Sequence, residues 1–327
     1  FVIRFKANAK EDITISDSVY GEITVHKDEL DDFIILRSNK APTYHFAVVI
    51  DDNESGITHI LRGDDHLKNS AKHLQLMDAM GYKEPEFIHL PMILGPDGSR
   101  LSKRHGAMNI LEYKDQGFLP EAMLNYLVRL GWSFGDQEVF NIQEMIDAFD
   151  VKNINKSSAK FDLEKLEWLN QQHLSNSDNS ELTDFLKLNT SLKEPPPAKT
   201  IDSFVDAYKP RVNNLNELVG YFDSLYTEQF SVEDSAAEKF LKPEILVPFQ
   251  DLLEMLEQVE WNTESINQSV KSTCEKHGIG FGKIGQPLRV AITGGTESPS
   301  IDLTMTLLDR EIVISRIKKA IEYISNQ

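Results

Sequence analysis

The order of apolar and polar residues predicts a small β segment at the start of the chain. Four short runs rich in β-branched and aromatic residues are separated by polar turns and one acidic connection. They cover residues 2–5, 13–15, 23–25 and 33–36. We predict a short strand at each run.

A parallel α/β unit is predicted over residues 41–115. Residues 41–52 form a continuous apolar run that ends in acids, which is typical of a strand buried on both faces. A second strand is predicted at residues 87–94. Between them, apolar residues recur at helical spacing and Gly81 is a candidate C-cap. The spaced residues are Leu67, Ala71, Leu74, Met77 and Met80.

From about residue 116 onward the pattern predicts helices only. Pro120 suits a first helical turn, Asn141 and Glu144 have capping-box spacing, and Asp162 is a candidate N-cap. Residues 175–180 and 194–197 have the composition of linkers. The expected core residues of this region are Leu127, Trp132 and Leu166.

Composition and charge limit the function classes. Lys and Arg number 34 and Asp and Glu 52, giving a net charge of −18. Such a chain binds nucleic acid only through local basic patches. The one cysteine, Cys274, excludes an internal disulfide and a Cys-based zinc site. No apolar run approaches the roughly 20 residues of a membrane span, and no signal peptide is recognised. We therefore expect a cytoplasmic protein with no membrane partner.

The loop at residues 94–106 carries the most specific chemistry. Gly95-Pro96-Asp97-Gly98 is a turn sequence, because proline fixes φ, aspartate bonds its own backbone and Gly98 suits positive φ. Three cations follow it, separated by Ser102. Such a loop suits a polyphosphate. The alternative is a solvated basic turn.

This loop resembles a known signature. Residues 100–104, Arg-Leu-Ser-Lys-Arg, resemble the Lys-Met-Ser-Lys-Ser motif of class I aminoacyl-tRNA synthetases, with Arg in place of the first Lys. Leu-Ser-Lys-Arg-His-Gly is similar to the bacterial glutamyl-tRNA synthetase form. The resemblance implies Lys103 and Arg100 as catalytic cations on the ATP phosphates. It also implies further ATP contacts from Ser102, Arg104 and His66, and from the backbone of Met92 and Ile93.

Two further segments resemble the glutamate-binding motifs of that family. They are Pro42-Thr43-Tyr44 and Arg62-Gly63-Asp64-Asp65-His66, with Asp64 where the family often has Glu. The resemblance implies that Tyr44 and Arg62 bind glutamate, and a guanidinium can hold a carboxylate through two parallel hydrogen bonds. Alone, each would be an ordinary strand tyrosine or surface arginine.

A divalent-metal hydrolase site is a different interpretation of the same region. Several carboxylates and one histidine lie close in sequence, and such groups bind Mg²⁺ or Mn²⁺. Their spacing matches no dedicated metal motif, and no metal ligand is assigned. The residues concerned are Asp51, Asp52, Asp64, Asp65 and His66.

The helical part also resembles the family. Residues 122–132 and 161–170 are similar to segments that contact the inner corner of tRNA, and residues 285–294 are similar to the anticodon-binding part. Arg289 is a candidate tRNA contact. The glycines of residues 278–285 mimic a phosphate-binding loop, but no predicted strand precedes them, so we assign them to caps and turns.

The resemblance implies an α/β fold, the second half of a Rossmann-type nucleotide-binding fold with parallel strands, followed by all-α tRNA-binding domains. The expected segments are the end of an acceptor-binding insertion (1–40), the Rossmann half with the signature loop (41–115), a helical stem-contact region (116–175) and a helical anticodon-binding region (176–327).

The implied activity is ATP-dependent activation of L-glutamate to glutamyl-adenylate, followed by transfer to the 3′ end of tRNA(Glu). ATP with Mg²⁺ would be used, and we expect a monomer. The class I motif His-Ile-Gly-His does not occur in the sequence. We therefore expect a fragment that begins downstream of it and does not catalyse alone. The alternative is a tRNA-binding or structural fragment without catalysis.

Overall fold

The computed structural model describes residues 1–7, 10–102, 104 and 109–327. These residues divide into two units. Unit 1 is Phe1–Leu111 with Pro120–Leu169, and unit 2 is Glu112–Leu119 with Asn170–Gln327. The four segments expected from the sequence stay a prediction.

Unit 1 contains two sheets. Their strands are β1 (Ile3–Phe5), β2 (Ile13–Asp17), β3 (Gly21–Val25), β4 (Phe33–Leu36), β5 (His59–Gly63) and β6 (Glu86–Leu90). The first four occupy the four predicted runs, which confirms those strands. β1 pairs with β4 antiparallel, and the larger sheet has the order β3-β2-β6-β5. Within it β6 is parallel to both β2 and β5, whereas β2 and β3 form a hairpin.

Two α-helices alternate with the last two strands, and the other α-helices of the described residues follow β6. The α-helices are α1 (Tyr44–Glu54), α2 (Asn69–Met80), α3 (Ile110–Asp115), α4 (Pro120–Arg129), α5 (Ile142–Ala148), α6 (Leu163–Asn176), α7 (Asn179–Asn189), α8 (Ala198–Tyr208), α9 (Leu215–Tyr226), α10 (Asp234–Phe240), α11 (Leu246–Leu256), α12 (Thr263–His277), α13 (Phe281–Thr293), α14 (Ile301–Thr306) and α15 (Arg310–Ser325). In the described residues beyond 109 no strand is present, only isolated bridges. The predicted change from α/β to all-helical structure is confirmed.

The crossover β5–α2–β6 forms the parallel unit. Ala71 and Leu74 of α2 pack with Ile15, Val25 and Phe87 of the sheet. The helix ends as predicted at Gly81, whose φ of 67° is left-handed and favours glycine. The strand predicted at 87–94 ends at Leu90, because Pro91 cannot donate a ladder hydrogen bond.

The strand predicted at residues 41–52 is wrong, because this run forms helix α1. Its buried contacts have helical spacing, since Phe46 and Val49 pack with Leu76 and Met77 of α2. Val49 is the buried residue of the helix. A short apolar run does not distinguish a buried strand from a helix, and Pro42 before an N-cap position was the missed helix signal.

The caps predicted for α5 and α6 are confirmed. Asn141 and Glu144 form a capping box, and Asp162 accepts a hydrogen bond from the Lys165 amide. Trp132 and Leu166 are buried as predicted.

The prediction that Leu127 is a core residue is wrong, because it is 41% exposed. The buried face of α4 includes a polar residue, Asn125. Its side chain bonds the backbone of Glu138 and Phe140, so the buried face is displaced from the purely apolar stripe.

Unit 2 is a helical assembly around one core in which Phe204, Phe222 and Phe249 are fully buried. Buried Arg316 of α15 donates to the carbonyls of Leu225 and Ile292. Among the helices of the described part of the chain, none combines the length and apolar character of a membrane span.

Two linker predictions have different outcomes. Residues 175–180 are mostly helical, since α6 ends at Asn176 and Asp178 caps α7. Residues 194–197 do lie in an irregular connection before α8. The glycines at 278 and 280 end α12 and begin α13, as assigned from the sequence.

Candidate functional site

Arg62 lies near the carboxyl end of β5, where the parallel strands direct side chains toward a crevice. The strand register places it beside His89 of β6, and its Nε donates to His89 Nε2 at 3.2 Å. Its Nη2 donates to Ser70 Oγ at 2.7 Å and to the His66 carbonyl at 3.3 Å. Its Nη1 lies 3.4 Å from His73 Nδ1. The guanidinium is therefore held from four directions.

Tyr44 reaches the same place from the start of α1. Its hydroxyl lies 3.3 Å from His66 Nδ1, and the His66 carbonyl accepts from Arg62 Nη2 at 3.3 Å. Tyr44 is 47% exposed, so its ring stands at the open side. The structure thus brings Tyr44, Arg62 and His66 together, although Tyr44 comes from a helix and not from a strand end. We call the set Tyr44, His45, Arg62, His66, Ser70, His73 and His89 the Arg62 cluster.

Two histidines of the cluster, His73 and His45, are kept uncharged by their surroundings. Burial, followed by the charge of Arg62, lowers the pKa of His73 to about 3. Because His73 Nδ1 faces an Arg62 N–H, its proton lies on Nε2 and points to His45 Nδ1 at 3.1 Å. Burial and the nearby charge of Lys72 also lower the pKa of His45. At neutral pH these two histidines therefore add no positive charge to that of the guanidinium.

Burial lowers the pKa of the Arg62 guanidinium, and Tyr44 and Asp52 oppose that shift. Each guanidinium nitrogen has a protein partner, so a carboxylate binding through two hydrogen bonds must replace existing contacts. The contacts at 3.3 and 3.4 Å are the longest and the weakest.

The predicted turn of the signature loop is present. Gly98 has a φ of 79°, its amide donates to the Gly95 carbonyl at 3.0 Å, and Asp97 Oδ1 accepts from the Ser99 amide at 2.9 Å. These bonds confirm the turn chemistry. The base of the loop is anchored because Leu94 exchanges backbone hydrogen bonds with residues 159 and 161.

The cations of the loop are only partly described. Arg100 lies 3.5 Å from Asp65, the second residue after the end of β5, and Arg104 donates to Ser99 at 3.2 Å. Lys103, the central residue of the predicted phosphate site, lies outside the described residues. The structure therefore places Arg100 next to the motif that contains Arg62.

Met92 and Ile93, whose backbone is predicted to contact adenine, lie directly before the signature loop. The Ile93 carbonyl accepts from the Leu101 amide at 2.9 Å, so this group already has a partner. Met92 is half-buried beside it. Ser102 is half-buried in the same segment.

Two acids of the metal interpretation, Asp64 and Asp65, have other partners. Asp64 accepts from the Tyr20 hydroxyl at 3.0 Å, and burial with this bond raises the pKa of Tyr20 to about 12. Asp65 pairs with Arg100. Within the described ranges no group of three His, Cys, Asp or Glu side chains is arranged to hold a metal ion. The geometry gives the hydrolase interpretation no support.

Arg289 of α13 in unit 2 is half-buried and held by its own surroundings. It donates to Ser298 Oγ at 2.8 Å, to Gln286 Oε1 at 2.6 Å and to the Pro299 carbonyl at 3.4 Å. Burial, then the nearby charge of Arg211, lowers its pKa. Its observed contacts stabilise the segment that follows Gly294.

Comparison with known proteins decides the family. A family model for "tRNA synthetases class I (E and Q), catalytic domain" matches residues 1–168, and one for an "Anticodon binding domain" matches residues 167–321. "Glutamate--tRNA ligase 1" of Alkalilimnicola ehrlichii is 44% identical over 331 residues, covering 100% of this chain and 70% of the relative. The glutamate–tRNA ligase of Francisella tularensis subsp. novicida is 42% identical, covering 98% of this chain and 70% of the relative.

Solved structures agree with these relatives. A crystal structure of a glutamate tRNA ligase from Elizabethkingia meningosepticum, in complex with its amino acid, matches with a TM-score of 0.85 at 33% identity. It covers 98% of this chain and 68% of that one. The chain belongs to the glutamate–tRNA ligase family.

The family predicted from the motifs is thus confirmed, and with it the fold class. Glutamate–tRNA ligases are aminoacyl-tRNA synthetases, enzymes that join glutamate to tRNA, and class I synthetases use ATP to do so. The family's catalytic domain covers the Arg62 cluster and the signature loop. The anticodon-binding domain corresponds to the helical half.

Sequence reasoning missed several residues of the Arg62 cluster in this ligase. Ser70 and His73 are three residues apart on α2, so helical spacing could have placed them on one face. His89 and its partner Asp17 depend on the order and register of β2, β5 and β6, which no local pattern specifies.

Proposed function

We propose that the chain acts in ATP-dependent ligation of L-glutamate to tRNA(Glu). The glutamate carboxylate attacks the α-phosphorus of ATP, and pyrophosphate leaves as glutamyl-adenylate forms. A hydroxyl of the terminal ribose of tRNA then attacks the acyl carbon and AMP leaves. Such steps depend mainly on positioning and on stabilisation of charge.

The observation that supports this proposal best is the environment of Arg62. The guanidinium lies at the end of a parallel strand, its hydrogen-bond acceptors are uncharged and the adjacent Tyr44 is exposed. Its charge therefore remains for an acidic ligand. The ligase from Elizabethkingia meningosepticum was solved with its amino acid, and we propose that glutamate binds this chain at Arg62 and Tyr44.

ATP is proposed to bind at the signature loop. Lys103 and Arg100 are proposed to neutralise the phosphates, assisted by Ser102 and Arg104. Met92 and Ile93 are proposed to contact adenine through their backbone, and His66 lies between the two ligands. The pairing of Arg100 with Asp65 supports a loop that lies close to the glutamate motif.

Magnesium is proposed to arrive bound to the ATP phosphates. Mg²⁺ retains waters and binds through substrate phosphates in such sites, so no cage of protein ligands is required. A cytoplasmic location is proposed from the family's activity. A monomer is the proposed state.

tRNA(Glu) is proposed to contact residues 116–327, with the anticodon at residues 176–327. For Arg289 to reach RNA, its contact with the Pro299 carbonyl, which is the longest at 3.4 Å, would have to yield. The acidic net charge of −18 means that the contact surface must be locally basic.

Pyrophosphate exchange tests this proposal. The complete gene product that contains these residues should exchange pyrophosphate into ATP only when glutamate is present, with tRNA(Glu) added. The 327 residues alone contain no His-Ile-Gly-His motif, and we expect no exchange from them. A complete product that binds tRNA(Glu) without any glutamate-dependent exchange would instead support the noncatalytic alternative.

A further inference from the structure

Arg62 is oriented by groups that do not neutralise it. Its named hydrogen-bond acceptors are imidazole nitrogens, a hydroxyl and a backbone carbonyl, all without charge. A carboxylate in direct contact would fix the guanidinium equally well but would compete with an acidic substrate. Asp17 is linked to Arg62 through one imidazole, that of His89, and Asp52 acts on Arg62 through its charge.

Asp17 and His89 form a buried pair behind Arg62. Asp17 is 4% exposed and His89 is 0% exposed. Asp17 Oδ1 accepts from the amides of Val19 and Tyr20, and Oδ2 accepts from the His89 amide at 3.1 Å. The same Oδ2 lies 2.7 Å from His89 Nδ1. Backbone amides thus donate to both oxygens of the carboxylate, and its remaining hydrogen bond is with the His89 ring.

This arrangement fixes the position of the ring proton. A carboxylate accepts only, so the His89 proton lies on Nδ1 and points at Asp17. Nε2 then presents its lone pair to the Nε–H of Arg62, as the 3.2 Å contact requires. The opposite tautomer would direct two N–H groups at each other.

We propose that Asp17 and His89 are positioning residues for glutamate binding. Asp17 selects the His89 tautomer, and His89 fixes the Arg62 fork in plane while leaving its charge for the substrate. The inference rests on the proposed role of Arg62. It adds two residues that orient Arg62 and that lie outside the motifs resembling the family. A guanidinium that is held in place without a carboxylate in direct contact favours a ligand carboxylate over the corresponding neutral amide.

Two substitutions at one position separate this role from a structural one. In His89→Gln the amide oxygen falls near the former Nε2, so the acceptor for Arg62 is kept and the Asp17 contact is lost. In His89→Asn the amide falls near the former Nδ1, so the Asp17 contact is kept and the acceptor is lost. If His89 has only a structural role, KM for glutamate should rise in whichever variant loses stability. If His89 is a positioning residue, KM for glutamate should rise only in the variant that lacks the hydrogen-bond acceptor for Arg62.

We expect His89→Asn to raise KM for glutamate by about 10- to 100-fold, the usual effect of losing a hydrogen bond to a charged group. KM for ATP and kcat at saturating glutamate should change by less than about 3-fold, since uniform binding is lost. His89→Gln should leave KM for glutamate near the wild-type value even if its Tm falls. The readout is pyrophosphate exchange by the complete gene product, with Tm measured beside it.

Asp17→Asn provides the second test if either histidine variant fails to fold. When its amide oxygen accepts from Val19 and Tyr20, its NH₂ faces both the His89 amide and His89 Nδ1, so the ring proton moves to Nε2 and the bond from the His89 amide is lost as well. We expect KM for glutamate to rise as in His89→Asn. A normal KM in His89→Asn or Asp17→Asn, or a KM that follows Tm across the variants, would overturn the inference.

Arg62→Ala keeps the two proposals distinguishable. A normal glutamate KM in Arg62→Ala would overturn the proposed glutamate site itself. A raised KM in Arg62→Ala together with a normal KM in His89→Asn would overturn only the positioning role of Asp17 and His89.

Discussion

Replacing His73 with glutamine tests the electrostatics of the Arg62 cluster. Burial and Arg62 lower the pKa of His73 from 6.5 to about 3. Over that interval the unfolded chain binds a proton at this residue and the folded protein does not. The stability that depends on neutral His73 is therefore complete above about pH 6.5 and is lost progressively as the pH falls toward 3.

The magnitude follows from linkage. Between about pH 7 and pH 5, one such group lowers the free energy of unfolding by about 2 kcal/mol. The figure depends little on the folded pKa, because pH 5 lies well above it. His73 is fully buried, so no allowance for solvent screening is needed.

Urea unfolding at several pH values measures this loss. In a Trp261→Phe background the remaining tryptophans, Trp132 and Trp168, both lie in unit 1 and report its unfolding. Between about pH 7 and pH 5 the protein with His73 should lose about 2 kcal/mol more than His73→Gln. His26→Gln is the control, since that side chain is 71% exposed and its pair with Asp12 lies at the surface, where an ion pair contributes little.

Equal pH dependence with and without His73 would refute this reasoning. A direct measurement covers the case in which His73→Gln does not fold. In the unsubstituted protein, the His73 ring signals followed by NMR should show no titration between about pH 7 and pH 5. Titration near pH 6.5 would contradict the buried, uncharged assignment.

Two further predictions concern the signature loop and the core. In the complete gene product, Lys103→Ala should slow adenylate formation at saturating ATP by about 10²–10³-fold while ATP affinity falls much less, and Lys103→Arg should not fully restore the rate. A near-normal single-turnover rate for Lys103→Ala would reduce the loop to a basic turn. Leu166→Ala should destabilise unit 1 by about 2–5 kcal/mol, because Leu166 is fully buried. Leu127→Ala, at a 41% exposed site, should cost less than about 1 kcal/mol in the same urea assay, and equal costs would contradict the burial of Leu166.

Local signals predicted much of the fold. The first four strands, helix α2 with its Gly81 cap and the Asn141 capping box each depend on residues close in sequence. Helix α1 was missed because its apolar run is compatible with either structure until its packing against α2 is known. Leu127 was misassigned because Asn125, a polar residue, belongs to the buried face.

The candidate site was predictable only in part. Tyr44 and Arg62 were assigned by resemblance to family motifs, and the structure brings them together. His89 and Asp17 could not be found in this way, because they reach Arg62 through pairing of strands distant in sequence. The role of each residue toward glutamate stays a prediction.

The glutamate dependence of pyrophosphate exchange in Arg62→Ala tests whether Arg62 binds glutamate. The assay uses the complete gene product with tRNA(Glu) present and varies glutamate at saturating ATP. We predict that KM for glutamate rises by at least about 10-fold, since a charged hydrogen-bonding partner of the substrate is lost, while KM for ATP is little changed. An unchanged KM for glutamate in a folded Arg62→Ala variant would contradict it.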